Sequence, residues 1–184
     1  MDERIGKILF SIQASVDALD TAILDEVVHD ILCASGLFIA GAGRSGLVAR
    51  MFAMRLMHLG LDAFVVGETT TPAGQPRDLL VCVSGSGETG STLSVLEQAR
   101  QLGMRTILIT TSHQSRMALV SNTVVVIRAG TKHTPVLQAQ APGQIMGGTF
   151  EQGAFVFLEA VINELLLRLH LSSRELAQRH ANLE

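Results

Sequence analysis

The sequence predicts an α/β domain, a three-layer αβα sandwich around a five-stranded parallel sheet. Two observations carry that expectation. Short, continuously apolar runs rich in Val, Ile and Leu alternate with segments of helical periodicity, as strands do when they are buried on both faces and joined by helical crossovers. The 184 residues are also about what one hydrophobic core can serve, so a single domain over 1–184 is expected.

Ile5, Ile8, Leu9, Ile12, Val16 and Leu19 recur at helical spacing, and Ile23, Leu24, Val27, Val28, Ile31 and Leu32 continue it. Two helices are expected, broken near Asp20-Thr21, where either residue can cap the second. Their apolar stripe suits packing on the sheet or against another subunit. Strand β1 is expected at 37–40, with a helix over 45–59, then β2 at 63–66. Strand β3 is expected at 79–83 with a helix over 89–102, β4 at 106–110 with a short helix over 115–120, and β5 at 123–127. Five such strands favour a flavodoxin-like sheet, which takes ligands at the carboxyl ends of its strands. Residues 129–148 lose all periodicity and carry Gly130, Pro135, Pro142, Gly143, Gly147 and Gly148, a length of loop that points to function. Beyond it, 150–169 is apolar on most sides, which predicts a buried helix at a subunit contact. A short helix over 172–180 follows.

Composition narrows the partners. Apolar residues make up 47% and charged residues only 17%, so an isolated monomer would present too much apolar surface and a homo-oligomer is expected. The net charge of −3, with no Lys/Arg cluster, excludes an electrostatic nucleic-acid footprint. Met1-Asp2-Glu3-Arg4 is unlike the basic start of a signal peptide, and no apolar run is long enough to span a bilayer, so no membrane association and a cytoplasmic location are expected. Cys33 and Cys82 lie in apolar stretches without partner spacing, and both are expected as buried, reduced thiols. His29, His113, His133 and His170 show no metal-ligand spacing, and no metal or other cofactor is expected.

Two glycine-rich turns compete for the ligand. G-A-G-R-S-G at 41–46 follows β1 and fits a dinucleotide fingerprint, with Glu68 at the end of β2 where a ribose-binding acid stands. An NAD-dependent dehydrogenase is therefore a candidate, although such an enzyme normally carries a substrate domain as well. S-G-S-G-E-T at 84–89 follows β3 and opens a helix. Gly85 and Gly87 let backbone N–H groups approach a ligand, and Ser84, Ser86 and Thr89 add hydroxyls at a positive helix end. That composition suits one phosphate monoester. The same residues also read as a serine-rich turn with an ordinary N-cap. A Walker A loop is excluded, because no Gly-Lys-Ser/Thr follows.

With both turns in this order, the chain resembles the SIS (sugar isomerase) domain family over nearly its whole length. F-A-M-R-L-M-H-L-G at 52–60, V-V-G-E-T-T-T-P-A at 65–73, G-T-F-E-Q at 148–152 and R-H-A-N-L-E at 179–184 are most similar to the 6-phospho-3-hexuloisomerase branch. Met146-Gly147-Gly148-Thr149 departs from that branch's shorter Met-Gly-Ser/Thr. The resemblance implies the SIS fold and an isomerase that moves a sugar-phosphate carbonyl between C3 and C2 without a cofactor. It further implies a tetramer, and a functional link to hexulose-phosphate synthase in formaldehyde fixation. Another SIS aldose–ketose isomerase, such as an arabinose-5-phosphate isomerase, and a non-catalytic sugar-phosphate sensor are the alternatives.

Such chemistry needs a positioned carboxylate, a donor for the enediolate oxygens and a hold on the phosphate. Glu151 is the expected base, held in a helix's first turn by a capping box between Thr149 and Gln152. An acid there also serves the helix dipole alone. Glu88 is the rival base, disfavoured by its place in the phosphate turn. His180 is expected as proton shuttle, reaching a neighbouring subunit's site as the resemblance implies, and His58 stands in reserve as a group that can satisfy the last carbonyls of its helix. Arg44 and Ser45 are expected to contact sugar hydroxyls or phosphate, together with Ser84, Gly85, Ser86, Gly87, Glu88 and Thr89.

Overall fold

The computed structural model describes residues 2–17, 19, 21–129, 148–180 and 182. Asp20, His133 and all but the ends of the 129–148 loop lie outside the described residues, as do Ala181, Leu183 and Glu184 of the closing hexapeptide. In order along the chain come α1 (Glu3–Val16), α2 (Thr21–Cys33), β1 (Leu37–Gly41), α3 (Gly43–His58), β2 (Ala63–Val65) and β3 (Leu79–Val83). Then follow α4 (Gly90–Gln101), β4 (Arg105–Thr110), α5 (Arg116–Val120), β5 (Thr123–Val126), α6 (Gly148–Arg168) and α7 (Ser173–Gln178).

The five strands form one parallel sheet in the order β2-β1-β3-β4-β5, with Ile39 opposite Val81 and Val81 opposite Ile107. Strand side chains alternate between faces, so the apolar runs divide into two cores. Leu37, Ile39, Leu79, Val81, Val83, Ile107 and Ile109 pack beneath α2, α3 and α6. Phe38, Ala40, Leu80, Cys82 and Leu108 pack on Leu93 and Leu96 of α4 and Met117 of α5. Burial pushes the Cys82 thiol up to about 12, which leaves it protonated and unreactive at neutral pH. Cys33 departs from expectation. It ends α2 on the outside of the helix and is exposed, with Sγ 3.6 Å from His29 Nε2.

Helix α1 lies against α6 the opposite way round from an ordinary amphipathic helix. Its buried residues are Ser11 and Ser15, while Ile5, Ile8, Leu9 and Phe10 are exposed. The serine hydroxyls bond within the helix, to the carbonyls of Lys7 and Ile12. The small residues allow close approach, since a Cβ at Gly153 of α6 would meet Ser15 Oγ and lie 2.8 Å from Ile127 Cγ2. Of the stripe expected over both helices, the α2 half packs on the sheet through Val27, Val28 and Ile31, while Ile5, Ile8 and Leu9 of α1 face away from it.

Candidate active site

Strands β1 and β3 are neighbours, but the helices that follow them cover opposite faces of the sheet. A crevice opens where such connections diverge, and both glycine turns lie on it. After β1, a Cβ at Gly46 would stand 2.8 Å from the Gly41 carbonyl oxygen, so glycine lets the first turn of α3 start against the strand. Arg44 and Ser45 are thereby held at the mouth of the crevice, Arg44 exposed and Ser45 half-buried.

After β3, Ser84 is buried and its Oγ accepts the Gly87 N–H at 3.2 Å, while Ser86 Oγ accepts the Glu88 N–H at 3.2 Å. A hydroxyl that accepts from the backbone keeps its own O–H to donate to a ligand. Gly87 has φ +62°, and a side chain there would collide with Ser115. The Gly85 carbonyl accepts from Thr110 Oγ1 at 3.2 Å and from Thr111 Oγ1 at 2.8 Å. Thr89 stands at the N-cap of α4 without a side-chain capping bond, so the dipole and first N–H groups of that helix remain for an anion. The hydroxyls Thr110, Thr111 and Ser115, which brace this turn, were missed by sequence reasoning. Their signal was a hydroxyl run at the carboxyl end of β4.

Helix α6 joins the two turns. Phe150 is buried so close to Gly85 that a Cβ there would lie 2.9 Å from Phe150 Cδ1. The next residue, Glu151, accepts a charge-assisted hydrogen bond from Arg44 Nε, the carboxylate side being 13% exposed and the guanidinium side 65%. Beside this pair lies a cavity of about 360 Å³, walled by Ile12, Leu47, Val48, Met51, Gln152, Phe155 and Val156. The arrangement offers one shielded carboxylate, a cation with N–H donors left over, and apolar walls. Among the described residues no three His, Cys, Asp or Glu side chains cluster as metal ligands would.

One expectation about the site changes. The capping box does not form: α6 begins at Gly148, so Thr149 is already helical, and Gln152 Oε1 is buried without a hydrogen-bond partner among the described residues. Glu68, at the position of a ribose-binding acid, pairs instead with Arg50 of α3. His58 and His180 are remote from this cavity. They stack on each other at the far end of α3, with ring centroids 5.2 Å apart, and Arg179 Nη1 donates to the His58 carbonyl at 3.0 Å. Burial lowers the pKa of His58, with the charges of His180 and Arg55 adding to it.

The SIS domain model matches residues 30–142. The 3-hexulose-6-phosphate isomerase of Mycobacterium gastri is 43% identical over 173 residues, covering 93% of this chain and 83% of its own. The enzyme of the same name from Methanocaldococcus jannaschii is 40% identical over 160 residues, covering 87% and 83%. A solved Methanococcus jannaschii structure, from which that same function was inferred, superposes with a TM-score of 0.81 at 36% identity over 97% of this chain and 96% of its own. With this match over more than half of its length, and relatives of 40% identity or more covering most of it, the chain belongs to the SIS domain family.

Proposed function

We propose that the protein interconverts 3-hexulose 6-phosphate and fructose 6-phosphate through a 2,3-enediol. The observation that carries the site is that the first turn of α6 sets Phe150 against Gly85 of the hydroxyl-rich 84–89 turn and the shielded Glu151 carboxylate on Arg44 of the other turn. Ser84, Ser86, Thr89 and the backbone N–H groups of Gly85 and Ser86 hold the phosphate, in a turn shaped by Gly87 and Glu88, and Ser45 hydrogen-bonds a sugar hydroxyl. Glu151 takes the proton from C2 of the 3-ketose, and the C2–H electron pair becomes the C2–C3 double bond. The carbonyl π electrons move to O3, which Arg44 stabilises. Reprotonation at C3, with loss of the O2 proton, gives the 2-ketose. His180 carries the proton between O2 and O3.

That last role requires a second chain, because His180 lies at the opposite end of its own α3 from Arg44. The exposed apolar residues Ile8 and Leu9 of α1, Met51 and Met54 of α3, and Phe155 and Val156 of α6 support such an assembly. Several of them border the cavity or its neighbouring turns, so a second copy seated there would close it. The reading includes a homotetramer, a cytoplasmic location and coupling to a hexulose-phosphate synthase. Among the described residues no helix is long and apolar enough to cross a membrane.

The test is a coupled assay of fructose 6-phosphate formation from enzymatically made 3-hexulose 6-phosphate, with ribose, arabinose and heptose phosphates as controls. Turnover of an aldose phosphate in preference to the hexulose would assign a different SIS isomerase. Binding of sugar phosphates with turnover of none would assign a sensor.

A further inference from the structure

The side chain of Glu88 has no part in the chemistry above, and its position calls for a different one. It sits inside the phosphate turn, where a carboxylate would repel the ligand, yet it is turned onto α5. One oxygen accepts the Arg116 N–H at 2.7 Å. The next N–H along, that of Met117, donates to the Gly87 carbonyl at 3.1 Å, and Ser115 Oγ accepts the Ala118 N–H at 3.3 Å. The first three N–H groups of α5 are thus satisfied, two of them by consecutive residues of the phosphate turn. A helix of five residues has little stability of its own, so α5 and the turn hold each other. Gly87 is pressed against Ser115 in the same contact, which leaves little room for either to move alone.

We propose that Glu88 is a positioning residue, whose carboxylate straps the 84–89 turn to the first turn of α5 and so fixes where the phosphate donors stand. The inference rests on the reading of that turn as a phosphate cradle. The carboxylate is neither a ligand to substrate nor a base. Its bond to a backbone N–H also directs its charge toward α5 rather than toward the anion.

The strap can be cut from either side. Glu88→Ala removes the acceptor. Arg116→Pro removes the donor, and the fold accepts it: proline is tolerated at a first helical position, and Ser115 has the extended φ −68°, ψ 154° required before proline. Arg116→Ala controls for loss of the guanidinium. The probes are inorganic phosphate and fructose 6-phosphate, titrated calorimetrically, with kcat and KM measured in parallel.

Glu88→Ala, and Arg116→Pro relative to Arg116→Ala, should each weaken phosphate binding and raise KM by roughly 5- to 20-fold, with kcat changed much less. Glu88→Gln, whose amide oxygen can still accept, should recover most of the loss. The Glu88→Ala/Arg116→Pro double variant should bind no worse than the weaker single variant, since both cut one bond. Wild-type affinity in folded Glu88→Ala would overturn the strap. So would a Glu88→Gln protein that binds tightly but has lost turnover, because the carboxylate would then act in the reaction. If wild-type protein binds neither probe, the cradle itself is misassigned, and the strap falls with it.

Discussion

The His180 imidazole stacks on His58 of its own chain, with Arg179 bonded to the same residue's carbonyl. Arg44 and His58 stand at the two ends of α3, about 21 Å apart at 1.5 Å per residue. From there His180 cannot serve its own chain's Glu151. Glu151→Gln and His180→Ala proteins should each be inactive, and refolding them together in equal amounts should restore activity. Random mixing gives about a quarter of sites an intact Glu151 and an intact His180 drawn from different chains. Verified mixed oligomers with no regained turnover would remove His180 from catalysis in trans.

Glu151→Gln should fold normally and keep its affinity for fructose 6-phosphate within a few-fold. Gln retains the shape and can still accept from Arg44 Nε. Turnover should fall by ~10²–10⁴-fold, the usual worth of a positioned base. Near-normal kcat in a steady-state assay would exclude Glu151 from the proton transfer.

Changing Ser84 and Ser86 together to Ala should act mainly on KM. Each hydroxyl accepts a backbone N–H of the turn, so its removal loses a donor to phosphate and also frees the Gly87 or Glu88 N–H. Each lost charge-assisted bond should cost about 1.5–3 kcal/mol of affinity. Part of this can appear in kcat, because phosphate binding also positions C2 and C3. Unchanged affinity for fructose 6-phosphate would move the phosphate to another turn.

What the sequence disclosed and what it hid divide along physical lines. The strands from Leu37 to Val126 were legible, because continuous Val/Ile/Leu runs have few uses besides a doubly covered sheet. The placement of Arg44 beside Glu151 followed only from topology, since 107 residues separate them. The outward stripe of α1 was ambiguous, because helical periodicity marks an apolar face without saying what covers it. The Thr149–Gln152 box failed because a start two residues earlier moves every cap position, and local pattern fixes helix ends poorly. The Glu88–Arg116 bond spans 28 residues, with α4 and β4 between its partners, and it has no local signal.

The apolar surface gives the last prediction. Leu9 on α1 is 50% exposed and Met54 on α3 is 45% exposed, and neither lines the cavity beside Glu151. Replacing both with Lys should leave the monomer fold intact, since neither side chain belongs to either core. Burying two unpaired ammonium groups in a contact between copies would cost several kcal/mol, enough to dissociate a typical assembly. Sedimentation should therefore show a smaller species, with unchanged circular dichroism. Turnover should collapse with assembly, because the cavity loses its cover and the neighbour's His180. Phosphate binding should survive, as the 84–89 turn and α4 come from one chain. A double variant that keeps its wild-type oligomeric state and rate would place the subunit contact on another face.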